Sequence, residues 1–297
     1  MKKSFIILML TITVILVILS SIVFARTRQN EEATLEEKVV QELNYLNKYC
    51  ISLLTNLNGI SIETNVIQEN NLQTQFGIST NKGTESSRSI MNNQQGNDEN
   101  SADNNKNDNK NNQTQDSILS NEGNYNPNWE DIQIQIERLY QIWNTISLDL
   151  HSINVDSNLV LSFSDYLNNA TQSVKKRDKA NTINEVAKMY NLVIEYTKRC
   201  KPASEETTIL TILYNVVSAY ANITNDKWED AEANIIEAQT TFTSLLNTVN
   251  SNYNQEINLN RSYILVNELK KAIKIQDKEI FFLQYKTLIT QLYLVID

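Results

Sequence analysis

The stretch WEDIQIQIERLYQIWNTISLDLHSI, Trp129 to Ile153, decides the fold class. Its apolar residues Trp129, Ile132, Ile136, Leu139, Trp143, Ile146, Leu150 and Ile153 advance by alternating steps of three and four. That spacing keeps one face of an α-helix apolar over seven turns. Asn128 stands where an N-cap belongs, Asp131 complements the helix dipole in the first turn, and Asn154 to Asn158 ends the run.

Downstream the punctuation of β-structure is missing. No glycine follows Gly123, and Pro127 and Pro202 are the only prolines. Glycine supplies the positive φ of tight hairpin turns and of phosphate-cradling loops. Residues 127–297 therefore read as an all-α domain, an antiparallel helical bundle or stacked helical hairpins. Three hairpins are expected, over about 158–200, 204–249 and 256–296. The dipeptides Asp178-Lys179, Asp226-Lys227 and Asp277-Lys278 mark their turns. Stacked repeats would give this spacing, and so would any three hairpins of similar length.

Upstream, residues 26–59 hold a second helix. Thr34 and Glu37 fit a capping box, and Gly59 fits a C-terminal cap. Val39, Leu43, Leu46, Cys50, Leu53 and Leu57 form a heptad seam. The seam is expected to pack on the 129–153 helix. The competing arrangement is a parallel homodimer through residues 35–57, with Cys50 facing Cys50.

Residues 60–126 read as a linker, weakly structured to residue 83 and disordered beyond. Thirteen of the residues 84–126 are asparagine. Such a segment buries too little apolar surface to offset its ordering entropy.

Residues 1–25 read as an anchor. A basic head, Met1-Lys2-Lys3, precedes the uncharged apolar run Phe5 to Phe24. About 20 apolar residues at 1.5 Å each cross a bilayer core of about 30 Å. Residues 5–24 are thus expected to sit in the lipid bilayer, with the body outside the cytoplasm. Cleavage after Ala25 would release it.

The body, residues 29–297, carries a formal charge of −13 and no basic stripe, which argues against nucleic acid as a partner. Cys50 and Cys200 could form one disulfide in an exported chain, and their spacing matches no metal motif.

Candidate chemistry is sparse. His151 is the single histidine, so paired-histidine zinc and di-iron signatures are excluded. It falls at a helix end, where a cation meets the terminal carbonyls. Cys50 lies in an apolar seam, and Cys200 follows Lys198 and Arg199 as ordinary capping charge. Glu229, Asp230 and Glu232 suit the first turn of a helix capped by Asp226 better than a calcium cage. Trp143, Tyr190, Tyr196, Tyr214, Tyr220 and Tyr285 fall on or beside apolar faces and read as core. No catalytic, cofactor-binding or metal-binding residue is assigned. The expected function is a non-catalytic, membrane-anchored helical module that binds a protein partner or builds structure at the cell envelope. A small-ligand-sensing bundle and a carboxylate-only enzyme such as a glycosidase are the alternatives.

Overall fold

A computed structural model describes residues 34–62, 125–200, 205–248 and 253–296, and these hold eight α-helices and no strand. In chain order they are α1 (34–56), α2 (Trp129–Ser152), α3 (Ser157–Lys175), α4 (Lys179–Cys200), α5 (Glu205–Thr224), α6 (Trp228–Thr248), α7 (Tyr253–Ile275) and α8 (Lys278–Ile296). The all-α class holds. The span expected over residues 5–24 lies outside the described residues. Among those described, no helix is long and apolar enough to cross a membrane.

Helix α2 follows its heptad reading closely. Ile132, Ile136, Leu139, Trp143, Ile146 and Leu150 are all buried, and Asn128 accepts hydrogen bonds from the amides of Glu130 and Asp131. Helices α3–α4, α5–α6 and α7–α8 form three hairpins. They begin at Ser157, Glu205 and Tyr253 and end at Cys200, Thr248 and Ile296, a constant offset of 48 residues.

The turns reach positive φ without glycine. Asn154, Arg177, Asp226 and Gln276 all sit near φ +60°. Three of these turns close as Schellman motifs, with Val155 N–H donating to Leu150 O, Asp178 to Ser173 O and Lys227 to Asn222 O. Asp178 and Asp277 then cap α4 and α8, accepting from the amides of Asn181 and of Glu279 and Ile280. Asp226 does not cap α6, contrary to expectation. It occupies the left-handed position itself, Lys227 takes the residue before the helix, and the Asp226 carboxylate binds Lys278 at 2.8 Å.

Helix α1 lies inside the molecule. From Glu42 to Ile60 no residue is exposed. Its apolar seam meets α2, where Tyr49 donates to Gln135 O at 2.8 Å and Asn56 to the Gln135 side chain at 3.1 Å. Its other faces meet α4, α5 and α8. Tyr220 of α5 donates to Leu54 O at 2.8 Å and accepts from Asn58; Lys48 lies 5.6 Å above the Tyr293 ring of α8. Asn47 and Cys50 adjoin Tyr190 of α4. One continuous apolar core runs from Val39 to Tyr293. The seam proposed for a homodimer is therefore occupied within the chain, with Leu46 and Cys50 wholly buried.

Gly59 caps α1 as expected, at φ +66°, with Ile60 N–H bonded to Thr55 O. A methyl group there would meet the Tyr125 ring at 2.7 Å. Tyr125, the next described residue after Ile62, thus already packs on the fold ahead of Pro127. The rest of the asparagine-rich tract lies outside the described residues. Cys50 and Cys200 are both free thiols, and the bridge that an exported chain could form between them is not made.

Candidate functional site: a polar groove across α4, α5 and α6

Burial decides first what the candidate residues can do. The Cys50 thiol is fully buried and pushed up to about 12, so it is inert at neutral pH; His151 is exposed in the last turn of α2. Cys200 is half-buried, and burial raises its thiol too. Glu229 and Asp230 stand exposed in the first turn of α6, and no acidic or metal-ligating cluster occurs among the described residues. Trp143 stacks on Phe163 at 3.9 Å and donates to Ser164 at 2.8 Å, a core role. Tyr190, Tyr196, Tyr220 and Tyr285 are wholly buried. Of the six singled-out aromatics, Tyr214 lines an open cavity.

That cavity is a groove of about 490 Å³ across α4, α5 and α6. Helix α4 presents Asn181, Asn184, Lys188 and Asn191 along it, at steps of three, four and three. This polar stripe is the counterpart of the buried stripe Ile183, Val186, Tyr190 and Val193 on the same helix. Helix α5 adds Tyr214, Ser218 and Asn222, and α6 adds Asn234, with Lys227 just ahead of it. Ala187 and Ala221 also line it, so the helix backbones lie close to the open space.

Amide pairs hold the walls together. Asn225 donates to Asn184 at 2.9 Å, joining the α5–α6 turn to α4, and Asn222 donates to Asn234 at 2.9 Å, joining α5 to α6. Each such pair leaves one donor or acceptor of the amide unused. Lys188 is bound to Glu185 at 2.6 Å and lies 5.4 Å above the Tyr166 ring. The second Glu185 oxygen is buried without a hydrogen-bond partner among the described residues. Lys227 is exposed and makes no ion pair among them. The groove thus offers neutral donors and acceptors, one unfilled carboxylate oxygen and one uncompensated cation.

Sequence reading missed this site because asparagine at such abundance reads as solvated surface. The available signal was the 181–184–188–191 stripe opposite an apolar face. Comparison of the chain with known protein families, with curated proteins and with solved structures found no match.

Proposed function

We propose that the protein is a non-catalytic binding module that holds a partner polypeptide in the α4–α6 groove, and that residues 5–24 anchor it at the cell envelope with the body outside. The observation that carries the binding reading is the groove itself. Asn184, Asn222 and Asn234 in its lining are pre-positioned by hydrogen bonds between elements. Pre-organised, incompletely satisfied polar groups on rigid helices suit recognition, because binding does not require them to be ordered first. An enzyme using carboxylates alone is less well served: two acids must face each other across the substrate, and Glu185 is the one carboxylate lining the groove. The three hairpins, repeating every 48 residues, fit a stacked-hairpin module, whose successive helices expose a continuous concave face.

A photo-crosslinking side chain placed at Asn191 in the groove should label a partner in cells, whereas one at exposed Gln172 on α3 should not. Equal labelling from both positions would refute the groove as the binding face. Fractionation with sequencing of the mature N-terminus tests the anchor. Recovery in membranes with an intact N-terminus is expected, and a soluble chain beginning at Arg26 would overturn it.

A further inference from the structure

The groove's chemistry narrows its ligand, and this step rests on the binding reading above. Along α4 the polar stripe from Asn181 to Asn191 covers ten residues, about 15 Å at 1.5 Å each. An extended chain covers that length with four or five residues at about 3.3 Å each. Its main-chain groups recur on one side about every 6.6 Å, close to the one-turn spacing of the stripe's polar side chains, about 5–6 Å. A side-chain amide gives one donor and one acceptor face, the same pair a peptide unit presents. Ala187 and Ala221 leave room for a backbone to approach. No large apolar side chain lines the groove apart from Tyr214, so there is no pocket for a hydrophobic anchor and little aromatic surface for a sugar ring.

Charge sets the polarity. Lys188 is neutralised by Glu185 at 2.6 Å. The free Glu185 oxygen, on a side chain only 14 % exposed, calls for an N–H donor. Lys227 is the one lining cation left uncompensated among the described residues, because neighbouring Asp226 is held by Lys278 and Glu229 and Asp230 do not line the groove. We infer that the groove binds an extended peptide through its main chain, with a carboxylate of that peptide set against Lys227 and a main-chain N–H on Glu185.

The carboxylate could be an acidic side chain or the peptide's own C-terminus, and the test separates them. The purified full-length chain is titrated with three sets of labelled, small-residue hexapeptides. One set carries an internal aspartate and an amidated end, one a free C-terminus and no acid, and one neither. The acid-bearing set that fits should bind at least tenfold tighter than the neutral set. Lys227→Glu should abolish that preference. Glu185→Gln and Asn191→Leu should weaken all three sets by threefold or more, with circular dichroism melting unchanged. Chito-oligosaccharides serve as the rival probe. Saccharide binding lost in Asn191→Leu, with no peptide bound, would overturn the peptide assignment and keep the groove as a binding face. Peptide binding unaffected by all three variants would overturn both. Absence of binding by every peptide set overturns the inference.

Discussion

Replacing Glu42 by glutamine should stabilise the protein above neutral pH and remove most of its pH dependence between pH 5 and 7.5. Glu42 sits on the buried helix α1, its side chain fully shielded from solvent and both carboxylate oxygens without a hydrogen-bond partner among the described residues. Lys38 is 3.4 Å away, but Lys38 also holds Asp149 at 2.6 Å and lies partly in solvent. Burial, and then the Asp149 charge, push the Glu42 carboxyl from 4.5 up to about 7, against the pull of Lys38. The folded chain therefore keeps a proton that the unfolded chain releases above pH 4.5. Stability from this group is fully present below about pH 4.5 and is lost as the pH rises toward 7. A shift of this size is worth about 3 kcal/mol at about 1.36 kcal/mol per unit. For a domain of this size, that lowers the melting temperature by about 6–12 °C. Lys179, which burial and Lys278 lower to about 8, acts only above that value and in the opposite sense. Differential scanning calorimetry at pH 5.0, 6.0, 7.0 and 7.5 in constant ionic strength measures the slope. Wild type should lose stability across this range and Glu42→Gln should stay nearly level. A wild-type melting temperature that is flat or rises with pH would refute the reasoning, as would an unchanged slope in the variant.

Other outcomes are expected for single changes in the core and the turns. Tyr220→Phe should cost about 1–3 kcal/mol in urea denaturation because it strands Leu54 O and leaves Asn58 with Thr224 alone, whereas Tyr285→Phe, whose buried hydroxyl has no partner among the described residues, should be neutral or stabilising. Arg177→Gly and Gln276→Gly should each raise stability by about 0.5 kcal/mol, the relief of left-handed strain exceeding glycine's entropy in the unfolded chain. Gly59→Ala should instead destabilise by at least about 1 kcal/mol, through its positive φ and the Tyr125 ring. Replacing residues 63–124 by ten glycine and serine residues should leave the melting temperature unchanged or slightly higher, since Gly59 and Tyr125 already touch and loop closure favours the shorter chain by about 1.6 kcal/mol; a fall of several degrees would count against this.

The helices were legible where one face alone was apolar. Helix α2 shows its heptad pattern because its outer face is solvated, and the pattern named the residues that are buried. The seam of α1 was equally plain, yet its central position was not. Its remaining buried positions carry Glu42, Asn47, Thr55 and Asn58, polar residues that a local pattern assigns to solvent; Thr55 bonds back to its own helix and Asn58 reaches Tyr220 and Thr224 of α5. Local pattern holds no trace of Tyr220 reaching Leu54 across the fold. The three Asp-Lys signals located the turns. Their roles differ because a left-handed residue was needed at 226, and aspartate tolerates that conformation better than most residues. The scarcity of glycine pointed correctly to helices but not to the absence of left-handed turns. The groove stayed hidden because its asparagines come from three helices and acquire meaning only when juxtaposed.

The burial of α1 has a consequence for the order of folding. Helix α1 precedes the other described helices in the chain, yet its shell is completed by α8, the last of them, where Lys48 meets Tyr293. Each hairpin can form from neighbours as it leaves the ribosome, because its contacts are local. The core cannot close until nearly the whole chain has emerged, and until then the apolar faces of α1 stay open to water. At roughly 5–20 residues per second, that interval lasts on the order of ten seconds or more. Contacts this distant in sequence also slow the closing step itself. The arrangement therefore ties the first described helix to the last, and removing α8 should expose the centre of the molecule rather than its edge.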